Sequence, residues 1–368
     1  MLSIKGCGQS QRGPAQFNYF ETGKFMQIRL PAEWEPQDGV LMAWPHANSD
    51  WAPYLGEAQQ LFGQMIRHIS RFETVLLVVP AEEQESVRSI LAASGCTLKR
   101  LRLYPLPCND TWARAFGPIT VYQGEQPLLL DFGFNGWGLK FAADLDNRLS
   151  RHLKECGAFP GARFKTCDLI LEGGSIESDG KGTLLTTAEC LLNANRNPHL
   201  NRTEIEERLK TELGASRVLW LEHGYLAGDD TDSHIDTLVR MAPDHTLVYV
   251  ECNDPDDQHY EALQAMKREL ELLRTGTGLP FRLIALPWPA ARYDTDGQRL
   301  PATYANFLVI NEAVLVPTYR DRHDERALQA VSRAFPGREV IGIDCSTLIL
   351  QHGSLHCVTM QLPKGVLA

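Results

Sequence analysis

The stretch RTEIEERLKTELGASRVLWL, residues 202–221, contains the unit from which the fold is built. Residues 202–214 place apolar side chains three and four positions apart and end at a glycine, which is typical of an amphipathic helix. The run RVLWL at 217–221 is typical of a buried strand. The polar cluster DDTDSHID follows at 229–236. A helix, a strand and a polar loop therefore follow one another in that order.

The same order recurs along the chain. Helices are predicted at 82–95, 145–157, 202–214, 257–274 and 324–337, with an additional helix at 58–71. Their starts lie roughly 55 to 67 residues apart, a spacing that indicates an internal repeat. The strand-like runs after them are LKRLRLY, CDLIL, RVLWL, FRLIAL and EVIGI. The polar segments beyond those runs are NDTWAR, LEGGS, DDTDSHID, ARYD and GSLHC.

Five such units favour pseudosymmetry around a central site. We predict one α/β domain over residues 26–368, in which a closed ring of βα units places the polar loops on its axis. The alternative is an open doubly wound sheet, which would gather its polar loops at one switch point. Residues 1–25 are rich in Gly, Gln and Ser, and we interpret them as a loose N-terminal extension.

Composition excludes several classes of partner. The chain has 36 basic and 46 acidic residues, a net charge of −10, and no basic cluster, which argues against nucleic acid. No apolar run approaches the length of about 20 residues needed to span a membrane. Nine cysteines without a CxxC pair indicate a cytoplasmic protein with reduced thiols. A small cationic substrate would suit the overall charge.

Cys357 is the candidate nucleophile. It lies in LQHGSLHCVTMQLP, where small residues and glycine precede it, as where a ligand approaches the backbone closely. If this segment is a strand, His356 faces the opposite side and is a poor candidate for the partner base. The alternative for Cys357 is a buried structural cysteine.

His234 and Asp236 form the candidate proton shuttle. On an extended strand the two side chains would share one face, so that a base and a carboxylate contact one ligand. A solvated acidic turn and a divalent-metal site are the alternatives.

Glu172 is the second candidate carboxylate. It follows an apolar strand, where a carboxylate is costly unless it is paired or functional, and the alternative is a capped turn. We assign the segment TLLTTAECLLNANRNP, residues 183–198, no direct chemistry. A thiol, a histidine and several carboxylates together suit a substrate that brings its own positive charge, and a guanidinium matches carboxylates in bidentate geometry.

These motifs resemble the agmatine deiminase and bacterial-type (Porphyromonas-type) peptidylarginine deiminase family of the guanidino-modifying penteins. The resemblance covers nearly the whole chain and is carried by AEWEP, NDTWAR-x-FGP, LEGGSI, NANRNP, DSHID and LHC. It implies a pentein fold, a five-bladed α/β propeller with pseudo-fivefold symmetry. It also implies no metal or organic cofactor and a homodimer or higher homo-oligomer.

The resemblance also implies residue roles. Cys357 would attack the guanidinium carbon, and His234 would protonate the departing ammonia and then activate water. Asp236 and Glu172 would hold the guanidinium or orient His234. Trp112 would line the pocket beside the aliphatic stem of the substrate.

Three positions depart from the family pattern. Asp230 stands where agmatine deiminases commonly carry a glutamate that helps bind the far end of the substrate. His352 stands where the family often has consecutive glycines. Ala115 replaces the guanidinium-binding aspartate of W-x-R-D-x-G-P, a loss that should cost roughly 1.5–3 kcal/mol or more. An engineered variant, a recent loss or a natural change of substrate would each produce this alanine.

The sequence therefore predicts a guanidine deiminase. It would act on linear amidines, converting agmatine or a similar small alkylguanidine into its ureido product and ammonia by covalent cysteine catalysis. Ala115 should leave it weakly active or inactive. The alternatives are a deiminase of peptidylarginine or another guanidine, a noncatalytic cation-binding protein on the same fold, and transfer of the amidino group to an amine.

Overall fold

A computed structural model describes residues 27–368, so the predicted extension over 1–25 lies outside the described residues. This part of the chain is mixed α/β. The helices are α1 Leu55–Ile69, α2 Gln84–Ala93, α3 Ala113–Phe116, α4 Gly136–Leu139, α5 Asp146–Glu155, α6 Ala188–Leu191, α7 Arg202–Leu213, α8 Tyr260–Leu272 and α9 Asp324–Ala334. The strands are β1 Ile28–Arg29, β2 Gln37–Ala43, β3 Thr74–Val79, β4 Leu101–Pro105, β5 Ile119–Gln123, β6 Gln126–Gly133, β7 Arg163–Ile170, β8 Ile176–Ser178, β9 Thr183–Thr187, β10 Arg217–Leu221, β11 Val239–Ala242, β12 Thr246–Val250, β13 Arg282–Leu286, β14 Arg292–Tyr293, β15 Arg299–Leu300, β16 Leu308–Val309, β17 Ala313–Thr318, β18 Glu339–Asp344 and β19 Met360–Pro363.

All six helices predicted from periodicity are confirmed, as α1, α2, α5, α7, α8 and α9. Helix α7 shows why the prediction succeeds. The Asn201 side chain accepts from the backbone N–H of Glu204, and the Glu204 carboxylate accepts from the backbone N–H of Asn201 at 2.8 Å, which is a capping box. Gly214 ends the helix in the left-handed region, at φ 71°. No helix within residues 27–368 has the length and apolar character needed to cross a bilayer.

The described strands form six sheets, and the five sheets of three or four strands share one pairing pattern. In each, a central strand pairs antiparallel with one neighbour and parallel with the other. The central strands of these sheets are β2, β6, β9, β12 and β17. Among residues 27–368 no sheet closes on itself, and no single open sheet runs through them, so the ring is not one closed sheet.

The last strand of the described chain joins the sheet that contains β2. Strand β19 pairs antiparallel with β2, so that Met360 lies opposite Leu41. Strand β2 then pairs parallel with β3 and β3 with β4. This pairing fixes the turn that carries Cys357, because the turn ends where β19 begins.

Polar contacts join this sheet to its neighbour. Asn311, between β16 and β17, exchanges two hydrogen bonds with the backbone of Gln37, at 2.8 and 3.0 Å. Its own backbone N–H donates to Glu73 Oε2 at 3.0 Å. Glu73 is buried, and its Oε1 has no partner. Burial raises the pKa of Glu73 to about 8, so the carboxyl group is largely protonated near neutral pH.

The Glu73→Gln substitution should therefore change stability in a pH-dependent way. A carboxyl group whose pKa is raised in the folded state contributes most to the stability of the fold at low pH. This contribution disappears as pH rises from about 4 towards 8. The glutamine variant should match the parent near pH 4 and exceed it at pH 8 by about 2–4 kcal/mol in the free energy of unfolding. Urea denaturation at both pH values measures the difference. Glu312→Gln, an exposed change in the same turn, should show no such difference, and a gain independent of pH would contradict the argument.

Candidate functional site

A cavity of about 680 Å³ lies against the loops that follow the carboxyl ends of the strands. Of the predicted site residues, five line it: Trp112, Ala115, Asp230, His234 and Cys357. Glu172 and Asp236 are buried and do not line the cavity. The fourth polar segment, ARYD, was expected at the central site. It instead contains β14, the first strand of the β14–β15 hairpin, which lies outside the cavity and exposes Tyr293.

Cys357 lies in a turn and not on a strand, since β19 begins only at Met360. Its backbone N–H donates to Asn306 Oδ1 at 3.2 Å, and its carbonyl accepts from the backbone N–H of Arg114 at 3.0 Å. Burial, and after it the nearby Asp236, raises the pKa of the Cys357 thiol. The free protein therefore holds a neutral thiol at neutral pH, and a bound cation would favour the thiolate.

His234 and Asp236 do not lie on a strand, which corrects the prediction for this motif. His234 precedes a single 3₁₀ turn, Ile235–Thr237, that contains Asp236. The backbone is left-handed just before, with φ 63° at Asp232 and at Ser233. The two side chains still converge on one point, because a Cβ added at Gly174 would lie 2.7 Å from His234 Nδ1 and 2.9 Å from Asp236 Oδ2.

His234 is buried, and its Nε2 has no hydrogen-bond partner. That nitrogen lies 3.9 Å from Glu172 Oε2. Burial by itself lowers the pKa of His234, but Cys190 and Glu172 outweigh it and raise the pKa to about 10. At neutral pH the ring is therefore an imidazolium that can donate a proton.

Glu172 is held by Arg196, which belongs to the segment 183–198 that was assigned no direct chemistry. Arg196 Nε donates to Glu172 Oε1 at 3.0 Å, and both side chains are fully buried. Arg196 also pairs with Asp232 and donates to the carbonyl of Thr231 at 2.9 Å. Burial raises the pKa of Glu172, but His234 and Arg196 reverse this and lower it, so Glu172 is ionised. Sequence reasoning missed this indirect contact because a buried arginine carries no special sequence pattern.

Asp236 is held by His356, the neighbour of the candidate nucleophile. His356 Nδ1 lies 2.7 Å from Asp236 Oδ2, and its Nε2 lies 2.8 Å from Glu33 Oε1. Burial raises the pKa of Asp236, but the contact with His356 outweighs this and lowers it. Asp236 is thus an ionised carboxylate whose Oδ1 has no partner. Glu33 lies in the AEWEP motif, which sequence reasoning used only to recognise the family.

Two buried arginines complete this network. Arg240 Nη2 donates to Glu33 Oε2, and its Nε to Glu177 Oε1, both at 2.5 Å. Arg114 Nη1 donates to Glu33 Oε1 at 3.2 Å, and its Nη2 to Gln361 Oε1. The guanidinium of Arg114 is therefore engaged by Glu33 and Gln361.

The cavity wall combines aromatic and acidic groups. Trp112 contacts Trp51 and Trp137, with ring centroids 5.7 and 6.4 Å apart. Asp230 Oδ2 lies 3.9 Å from His352 Nδ1, which also lies 2.7 Å from the carbonyl of Gly228. His352 itself is left-handed, at φ 63°, a conformation in which glycine would be unstrained. Acidic oxygens and aromatic faces suit a cation with an apolar stem.

One cluster behind the cavity wall offers ligands for a metal. One ligand atom from each of Glu172, Cys190 and His234 lies within 4.8 Å of the other two, and all three residues are buried. Cys190 also belongs to the segment that was assigned no chemistry. The eight described cysteines form no disulfide with one another, so the Cys190 thiol is free.

Gly174→Ala should disable the site without unfolding the protein. The added methyl group must displace His234 or Asp236, because it would approach both within 3 Å. A displacement of about 1 Å at a reacting group costs about 10²-fold in rate, so kcat/KM should fall by that factor or more in any form with measurable turnover. Gly276→Ala is the matched control, since nothing lies within 4 Å of its Cβ. Equal kcat/KM values for the two variants would show that the placement of His234 and Asp236 does not limit the reaction.

Comparisons with known proteins show the family of this chain. A family profile described as Porphyromonas-type peptidyl-arginine deiminase matches residues 29–363. Agmatine deiminase of Pseudomonas aeruginosa (strain LESB58) is 34% identical over 359 residues, covering 91% of this chain and 95% of the relative.

Solved structures give the same result. Agmatine deiminase of C. jejuni, a cysteine-to-serine variant with substrate bound, shares 40% identity at a TM-score of 0.85, covering 92% of this chain and 97% of that one. A Porphyromonas gingivalis protein provisionally described as an arginine deiminase shares 49% identity at a TM-score of 0.88, covering 93% and 100%. This chain therefore belongs to the Porphyromonas-type peptidyl-arginine deiminase family, with agmatine deiminases among its relatives.

Proposed function

We propose that this protein is a guanidine deiminase that converts agmatine, or a similar small alkylguanidine, into its ureido product and ammonia. The observation that carries the proposal is the cavity wall itself. It brings the Cys357 thiol together with the His234 imidazole, whose Nε2 is unpartnered, and Asp236 offers an unpartnered carboxylate oxygen behind it. The relatives named as agmatine deiminases support the choice of a guanidine.

Binding and activation follow from charge. The guanidinium binds at the cavity wall, behind which the ionised Asp236 lies, and a local shift of that wall brings the unpartnered Oδ1 within reach of a substrate N–H. The positive charge lowers the cost of ionising Cys357, whose pKa burial and Asp236 raise in the free protein. The Cys357 proton leaves to solvent, because His234 already carries a proton. The thiolate then attacks the guanidinium carbon, and a C–S bond forms.

His234 takes part both in the breakdown of the adduct on Cys357 and in the hydrolysis of the amidino-thioether that remains. Its imidazolium donates a proton to the departing nitrogen, the C–N bond breaks and ammonia leaves an amidino-thioether on Cys357. The neutral imidazole then takes a proton from water, which attacks the same carbon. The C–S bond breaks, the ureido product leaves and the thiol is restored. Glu172 lies 3.9 Å from Nε2, and His234 and Arg196 together keep Glu172 ionised. These steps use side chains alone, with no cofactor.

The far end of the substrate would lie beside Asp230. This carboxylate lines the cavity together with Trp112 and Trp137, so an aliphatic stem packs on the rings and a distal cation meets the acid. The cavity volume of about 680 Å³ is within the range that encloses drug-sized ligands. A larger guanidine, such as the arginine of a peptide, is therefore the second candidate substrate.

We also propose that the five sheets are the blades of a pentein propeller with the cavity on its axis. The shared pairing pattern of the five sheets supports this arrangement. Within the proposed propeller the single domain extends over residues 26–368. A homodimer or higher homo-oligomer in the cytoplasm stays a prediction from the family resemblance.

Ala115 should impair this reaction, and Ala115→Asp should restore it. The alanine lines the cavity from α3 and offers no hydrogen bond to a cation. Loss of a charged partner costs roughly 1.5–3 kcal/mol in binding, and lost orientation lowers the rate further. The aspartate variant should therefore exceed the parent in kcat/KM for agmatine by about 10²-fold or more. A ureido-product assay with agmatine, arginine and an arginyl peptide measures both forms.

Ala115→Asn separates charge from size in this experiment. Asparagine has nearly the shape of aspartate without its charge, so it should restore much less activity. If neither Ala115→Asp nor the parent produces a ureido product from any guanidine, the deiminase proposal fails and a noncatalytic cation-binding protein replaces it. If amine acceptors raise product formation, the reaction is amidino transfer.

Alkylation of Cys357 by iodoacetamide should show its raised pKa. Below the pKa of a thiol, the thiolate fraction increases about tenfold with each pH unit, so the rate should rise steadily from pH 6 to 9 without a plateau. Peptide mass spectrometry after timed quenching measures the modified fraction. The exposed Cys156 should react faster at every pH and reports on the reagent. A plateau for Cys357 below pH 8 would show a thiolate already stabilised in the free protein.

A further inference from the structure

We propose that Cys190, His234 and Glu172 bind a thiophilic divalent cation such as Zn²⁺, and that the bound metal inhibits the enzyme by occupying His234. The metal is not a cofactor of the proposed reaction, which uses no metal. The inhibition depends on the proposed function, whereas the binding site does not. Thiolate, imidazole and carboxylate are the ligand types that Zn²⁺ prefers in proteins.

The distances suit one small ion. The three ligand atoms lie within 4.8 Å of one another, and His234 Nε2 lies 3.9 Å from Glu172 Oε2. Zinc bonds are about 2.3 Å to sulfur and about 2.0–2.2 Å to nitrogen and oxygen, so two ligands of one tetrahedral ion lie about 3.3–3.7 Å apart. The three side chains must therefore approach one another by up to about 1 Å when the ion binds.

Two of the three ligand atoms have unused bonding capacity. His234 Nε2 is buried without a partner, and a buried polar atom in that state is costly unless something binds it. Glu172 Oε2 is the looser of the two carboxylate oxygens, at 3.4 Å from Arg196 Nε against 3.0 Å for Oε1. Arg196 can therefore keep Oε1 while Oε2 turns to the metal.

The charge balance at the site and the route into it also suit a divalent metal ion. On binding, the metal replaces the thiol proton of Cys190 and the Nε2 proton of His234, and both protons leave to solvent. The two positive charges of the ion are then balanced by the thiolate and by Glu172, while Arg196 stays paired with Asp232. His234 lines the cavity and the other two ligands lie behind it, so the ion enters from the substrate side and His234 closes over it.

Cobalt spectroscopy on a chain without the cavity thiol tests the binding. In the Cys357→Ser background, Co²⁺ should give a thiolate-to-metal charge-transfer band and the intense visible bands of tetrahedral coordination at one equivalent. Zn²⁺ should displace it. Adding Cys190→Ser should abolish the charge-transfer band and weaken Zn²⁺ affinity at least tenfold in competition with a chromophoric chelator. Adding Cys96→Ser, a change at a thiol outside this cluster, should alter neither.

The outcomes separate the site from its alternatives. A charge-transfer band that persists in the Cys190→Ser chain would assign the metal to another thiol and overturn the proposal, as would stoichiometry well below one. His234→Ala in the same background should also weaken Zn²⁺ binding at least tenfold. Because His234 lies at the cavity wall, this second variant tests the site even if the buried Cys190→Ser change destabilises the fold.

Inhibition is tested on the Ala115→Asp form. Zn²⁺ should inhibit its turnover, and Cys190→Ser should raise the half-inhibitory concentration at least tenfold, whereas Cys96→Ser should not. Inhibition that is independent of Cys190 would contradict the inhibitory role. If Ala115→Asp has no deiminase activity, the proposed function fails, while the cobalt and chelator measurements still decide whether the metal site exists.

Discussion

The ion network around Arg240 is the interaction on which the interior of this protein depends. Arg240 lies on β11 and pairs with Glu177 on β8 and with Glu33 ahead of β2. It also donates to the carbonyls of Ala305 and Phe307, which precede β16, at 3.1 and 2.5 Å. One buried guanidinium thus joins segments of four different sheets. Removing one partner of a buried ion pair costs about 3–5 kcal/mol, because it leaves an uncompensated charge in the interior.

This network also places the candidate catalytic groups. Glu33 is shared by Arg240, Arg114 and His356. His356, which contacts Glu33, also contacts Asp236. The backbone N–H of Arg114, whose side chain pairs with Glu33, donates to the carbonyl of Cys357. The nucleophile and the carboxylate are therefore positioned by the same carboxyl group, which lies on the far side of both from the cavity. Positioning from behind leaves the cavity faces of Cys357 and His234 free for a ligand.

The sequence predicts what is local and misses what depends on burial. Periodicity and capping place α7 correctly, because the capping box and Gly214 act within a few residues. The small residues and glycine before Cys357 indicate a place where a ligand approaches the backbone, and Cys357 does line the cavity. The buried pairings of Arg196 and Arg240 could not be predicted, since a buried arginine has the same neighbours in sequence as a surface one. The strand prediction for His234 fails because left-handed residues just before it redirect the chain, and no glycine marks that turn.

The hydrogen-bond and ion-pair partners of each site residue indicate whether the fold alone would require that residue. Glu172 is paired with Arg196 and one oxygen of Asp236 with His356, so replacing either carboxylate would leave a buried cation or donor without its partner. Their presence says little about activity. His234 Nε2 and Asp236 Oδ1 are different, because each is buried without a partner, at a cost of about 1–3 kcal/mol that packing does not offset. Such atoms are explained by a ligand that binds them.

Ala115, in contrast, faces the cavity, where an aspartate can be lost without leaving a buried partner. We therefore expect a change at that position to alter the proposed reaction while leaving the fold and the other site residues in place.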